Sequence, residues 1–107
     1  MVYGGEDPGE VARRVAEEAV RFPDVVELSS GGFGTLATPV PGGRVRGVAV
    51  RGDGIEVGVV VRFGRPLPEI AAELRRGLAP LAGGRTVHVS VEDVVAGLDD
   101  GTRTTGR

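Results

Sequence analysis

Between Ile55 and Phe63 the apolar side chains alternate. Ile55, Val57, Val59, Val61 and Phe63 fall on one side, and Glu56, Gly58, Val60 and Arg62 on the other. That period of two is the mark of a strand with one buried face. Gly64 breaks the run. From Pro68 the apolar positions move to Ile70, Leu74, Leu78 and Leu81, the spacing of an amphipathic helix. A strand and a helix joined by so short a connection fold back on each other and share one core.

The same reading extends along the chain. Asp7 followed by Pro8 predicts a helix start, the carboxylate capping free amides and proline suiting the first turn. Val11, Val15, Ala19 and Phe22, with Ala12 and Ala16, make its apolar stripe. Glu10–Arg14 and Glu17–Arg21 stand four apart on the solvated face in the favourable order, and Pro23 ends the helix. Val25 to Leu28 predicts a short strand. The glycines and prolines between Ser29 and Gly43 exclude a long helix or a central strand.

Val45 to Phe63 then predicts a hairpin. A two-residue turn at Asp53-Gly54 would set Val50 against Val57, Val48 against Val59 and Arg51 against Glu56. A second helix over Pro68 to Ala79 closes at Pro80, and Gly83-Gly84 turns the chain into a last strand over Thr86 to Val94. Strand, helix, strand in this order predicts a parallel partner for Ile55–Phe63. The fold class is therefore α+β, two helices on one face of a small mixed sheet in the order α-β-β-β-α-β. Residues 1–95 form one domain, and 96–107 form a polar tail without periodicity, expected to be disordered.

Composition narrows the chemistry. With 107 residues and no cysteine, one small domain must be held by an aliphatic core, with no disulfide or thiolate site. A net charge of −2 with interspersed signs is a poor footprint for a nucleic-acid binder. All basic residues are arginine, which excludes lysine chemistry. No apolar run nears the roughly 20 residues that span a bilayer, and MVYGGEDPGE has no secretory pattern. The expectation is a cytoplasmic protein.

VVVRFGRPLPEIAAELRRGL, followed by TVHVSVEDV, resembles the bacterial alkaline shock protein family, also called the Gls-type envelope stress response family. The matching elements are the valine-rich strand Val59–Val61, the aromatic-glycine pair Phe63-Gly64, the helix start Pro68-Glu69 and the closing strand Val87–Val94. The first helix, the Gly31–Gly34 loop and Gly43–Val50 also sit where that pattern expects, so the likeness covers Glu10 to Val94, in the short form of GC-rich bacteria. Leu67, where the pattern has a polar cap, and Pro80, which shortens the helix, depart from it. The resemblance implies a non-enzymatic cytoplasmic protein that self-associates as a homo-oligomer and binds a membrane-anchored protein of the same stress system. It supplies no catalytic, cofactor or metal residues.

The residues themselves offer little reactive chemistry. His88, Ser90 and Glu92 share the outer side of the last strand, but side chains two apart stand roughly 6–7 Å from each other, too far for the hydrogen bonds of a triad. One histidine is not a metal site. The pairs Glu92-Asp93 and Asp99-Asp100 lack the spacing of a calcium loop, and Arg75-Arg76 reads as a solvated helix face. Gly31, Gly32, Phe33 and Gly34 fit the GXXG of a KH-type nucleic-acid loop, but without its flanking helices or basic cluster. As a plain surface loop, the same stretch would pin Phe33 and Leu36 to the core. Gly47, Ala49, Gly58 and Val60, edged by Arg62, make a flat strip of small residues on the outer side of the hairpin. That strip is either an association face or simply half-wetted. As an association face it predicts that Gly58→Arg lowers oligomer size without unfolding.

Overall fold

A computed structural model describes residues 6–96. The elements are α1 (Pro8–Ala19), β1 (Val25–Leu28), β2 (Ala37–Val40), β3 (Gly43–Arg46), β4 (Val48–Arg51), β5 (Gly54–Arg62), α2 (Leu67–Leu78) with a 3-10 turn over Ala79–Leu81, and β6 (Thr86–Val95). The α+β class and the element order agree with the sequence reading, with one added ribbon, β2–β3, inside the glycine- and proline-rich stretch. The predicted tail from 97 onward lies outside the described residues.

Both helices form for the predicted reasons. The Asp7 carboxylate accepts the Glu10 amide at 3.0 Å, and Pro8 opens α1. The charged face pairs Arg13 with Glu10 and Arg21 with Glu18, three residues apart rather than four. Arg14 instead reaches Glu6 and the Leu81 carbonyl. α1 stops at Ala19, before Pro23. At α2, Pro66 offers no side-chain cap, and its carbonyl takes the Glu69 and Ile70 amides. Val11, Val15, Ile70, Leu74 and Leu78 pack against Val48, Ile55, Val57, Val59 and Val61, each at most 1% exposed. Truncating one of these leucines or isoleucines to alanine typically costs about 2–5 kcal/mol.

β5 is the centre of the main sheet. β6 runs parallel to it along its whole length, with an irregularity that leaves Glu92 as an extra residue between the Val59–Val91 and Val60–Asp93 pairs. β4 pairs antiparallel with the first half of β5 and β1 with the second half. Because β6 occupies one edge of β5 throughout, β1 and β4 share the other, end to end. Gly58 is the seam: its amide donates to the Gly47 carbonyl and its carbonyl accepts from the Ser29 amide, both at 2.9 Å. The chain leaves the sheet at Ser29 and returns at Gly47.

The hairpin turn falls at Gly52-Asp53, one residue before the predicted Asp53-Gly54. Val48 therefore faces Val57, Val50 faces Ile55, and Ala49 faces Glu56. The shift moves each partner by two positions, so every side chain keeps its face. Gly52 supplies the positive φ, +57°, that the turn needs. The Arg85 guanidinium donates to the Gly52 carbonyl at 3.1 Å, and the Thr86 amide donates to the Asp53 carbonyl at 2.9 Å, fixing the turn against β6. Arg51 and Glu56 still pair at 3.1 Å, now diagonally. Val45 and Arg46, predicted in this hairpin, belong instead to β3 and pair with β2 around a Pro41-Gly42 turn.

Candidate interaction surfaces

The strip expected as an association face is covered by the chain itself. Gly47, Ala49, Gly58 and Val60 are buried, and only Arg62 at its rim is half-buried. A Cβ on Gly58 would collide with the Ser29 carbonyl oxygen and lie 2.8 Å from Leu36 Cδ1, and one on Gly47 would lie 2.6 Å from Leu28 Cβ. The small residues are there because the backbone at Leu28–Ser29 and the Leu36 side chain cross directly over them. Gly58→Arg is thus a folding mutation, not a surface one. Arg62 turns back onto its own chain, donating to the Pro23 carbonyl.

The ribbon that follows this crossing seals the edge of β4. The buried Thr38 hydroxyl donates to the Val48 carbonyl at 2.7 Å and accepts the Val50 amide at 3.1 Å. One side chain satisfies both backbone groups that a neighbouring strand would have engaged. The sequence signals were present in Pro41-Gly42 and the flanking Thr38, Val40 and Val45, but Pro39 argued against a strand. In an edge ribbon it is tolerated.

Gly31 and Gly34 close a tight turn, the Gly34 amide donating to the Gly31 carbonyl at 3.1 Å. The turn lies between β1 and β2, not between helices as in a KH loop. Leu36 is buried as expected, whereas Phe33 is 95% exposed and pins nothing. The depression beside it, about 370 Å³, is lined by Arg51 but also by Glu56 and Glu92.

On β6, Ser90 and Glu92 do meet: the Ser90 hydroxyl donates to the Glu92 carboxylate at 2.5 Å. The irregularity at Glu92 brings together two side chains that an even strand would hold apart. His88 is exposed, stands opposite Glu56 of β5, and is outside that hydrogen bond. Among the described residues, no group of three or more His, Cys, Asp or Glu side chains gathers to hold a metal ion.

A second apolar surface was not anticipated. Alternation with Val61 predicts Phe63 on the core side, but β5 ends at Arg62 and Phe63 is 78% exposed. With Pro66, Leu67 and Val94 it lines a recess of about 410 Å³ where β5, β6 and the start of α2 meet. The Phe63 amide donates to the Val95 carbonyl at 2.8 Å and anchors the corner. Gly64, directly after Phe63, was the signal that the alternation stops there. Beside the recess, Arg65 pairs with Asp24 and Glu73, both at 2.6 Å, and with Glu69 at 3.5 Å. The hydrogen bond from Arg65, helped by its charge, holds the Glu73 carboxyl below the usual glutamate range, and the same bond pushes the Arg65 guanidinium up. Arg65 is thus the one charged residue lining the recess, and it is ringed by the carboxylates of Asp24, Glu69 and Glu73.

No helix among the described residues is long and apolar enough to cross a membrane. Comparison with protein-family models, with curated proteins and with solved structures returns no match.

Proposed function

We propose that this chain is a non-enzymatic interaction module of the envelope stress response type, which assembles with copies of itself and docks a membrane-anchored protein of the same stress system. The observation that carries the reading is the Phe63 recess. Large apolar side chains exposed together beside a charged rim mark a protein-binding surface, and Phe63, Leu67 and Val94 are exposed together here. The excess of carboxylates around Arg65 favours an apolar anchor flanked by basic residues. Cytoplasmic segments next to a membrane span carry such residues in excess. The resemblance of the Val59–Val94 stretch to the alkaline shock family adds to the same reading.

The test is retention of detergent-solubilised membrane proteins on the immobilised chain, beside a Phe63→Ser variant. An exposed side chain leaves the fold intact when replaced, so the variant should keep its melting temperature and lose the retained protein. No retained membrane protein, or equal retention by both, contradicts the proposal.

A second reading, a small KH-like RNA-binding domain using Gly31–Gly34, is favoured by the exposure of Phe33, since a free aromatic face stacks on unpaired bases. Glu56 and Glu92 beside it oppose a phosphate backbone. Retention on single-stranded RNA that falls steeply with salt and is lost in Phe33→Ala would favour this reading over the first.

A further inference from the structure

The two edges of the main sheet differ. The outer side of β4 is capped by Thr38, whereas β6 has β5 on one side and no strand on the other among the described residues. β6 is ten residues long, and its stretch Thr86–Val91 has no proline, carboxylate or bulge; the devices against edge pairing, Glu92, Asp93 and the irregularity, come only after Val91. The Thr86 amide points to β5, where it meets the Asp53 carbonyl. By alternation the amides of His88 and Ser90 point the same way, and those of Val87, Val89 and Val91 face the open edge. Past Val91 the extra residue Glu92 reverses that order, and Val95 turns its carbonyl to Phe63.

The exposed stretch is complementary to itself. Turned about a two-fold axis through Ser90, the sequence His88-Val89-Ser90-Val91-Glu92 sets Val89 against Val91, Ser90 against Ser90 and an imidazole against a carboxylate at each end. In this register Val89 and Val91 face the partner with their backbone groups and exchange four hydrogen bonds across the axis. His88 and the partner copy's Glu92 meet at the two ends of this ladder, where the extra residue Glu92 leaves the strand alternation; opposite polarity there is favourable and like charge is not. An isologous contact needs this kind of self-complementarity.

We infer that a second copy of this chain docks antiparallel on β6, centred on Ser90, and joins the two four-stranded sheets into one continuous sheet. This rests on the self-association proposed above and names its surface.

The chain has no cysteine, so Ser90→Cys reports on the axis alone. Facing residues of a non-hydrogen-bonded pair lie about 4.5 Å apart between Cα atoms, within disulfide range. Under mild oxidation Ser90→Cys should form a covalent dimer, whereas His88→Cys and Glu92→Cys should link only when mixed with each other. In sedimentation velocity, His88→Glu should raise the dimer dissociation constant about tenfold by opposing two carboxylates at both ends. The swap His88→Glu with Glu92→His should restore it. A wild-type chain that stays monomeric throughout the concentration series overturns both this inference and self-association. A dimer unaffected by His88→Glu, with no Ser90→Cys crosslink, overturns the β6 edge alone and leaves self-association standing. A crosslink without rescue by the swap overturns the His88–Glu92 pairing at the ends of the contact.

Discussion

The two edges of one sheet have been finished in opposite ways. On the β1–β4 side the strand is broken at Gly58, the chain makes an excursion from Ser30 to Arg46, and the excursion returns to lie on the edge it left. Thr38 then supplies the donor and acceptor that the outer side of β4 lacks. Among the described residues no strand or side-chain cap comparable to Thr38 lies on the β6 side. The contrast teaches that closing an edge here takes a seam of two glycines and a buried hydroxyl, and that β6 carries neither.

Substitutions should separate the two edges by size of effect. Largest is Gly58→Val on the sealed side. Its Cβ must displace the Ser29 backbone rather than a flexible side-chain tip, and overpacking of this kind costs about 3 kcal/mol or more. A urea midpoint near that of wild type would show that the crossing is not tight. Next, Thr38→Val keeps the shape but strands the Val48 carbonyl and the Val50 amide, a loss of about 2 kcal/mol. Thr38→Ser should recover most of it, and equal losses in the two variants would remove the hydroxyl from the account.

His88→Gln on the open side should shift monomer stability by less than about 0.5 kcal/mol, because the side chain is exposed and the change sets no second carboxylate beside Glu56. A larger shift, measured at a concentration where the chain is monomeric, would mean that this edge is already covered. Smallest is the effect at neither edge. The Arg65 hydrogen bond lowers the Glu73 carboxyl in the folded chain, so its stabilising contribution is present above the ordinary glutamate range and fades as pH falls through the lowered folded value. Glu73→Gln should flatten the acid limb of the stability curve slightly, and an unchanged limb would deny the pair any linkage.

Much of the buried side of this fold was legible in the sequence, and the reason is periodicity. Val11, Val15, Ile70 and Leu74, and the odd-numbered residues of β5, repeat with the period of their element and are all buried. The hairpin register was displaced by two because Gly52 and Gly54 flank Asp53 equally, and the choice between them is made by Arg85 and Thr86, distant in sequence. The outer face is hard to read from sequence for a related reason. Small residues such as Gly47 and Gly58 look alike under open solvent and under a crossing backbone. Phe63 continued an alternation past the point where its strand ends, so the exposed corner it makes with Leu67 and Val94 was hidden in a pattern that signals a core. Thr38 left no periodic trace, since its role is a single pair of hydrogen bonds.

Amide hydrogen exchange measured over a range of protein concentrations addresses the difference between the edges most directly. At low concentration the Val50 amide, held by Thr38, should be protected while those of Val89 and Val91 exchange fast. On raising the concentration, Val89 and Val91 should become protected and Val50 should not change. Equal protection of all three at every concentration would contradict the account.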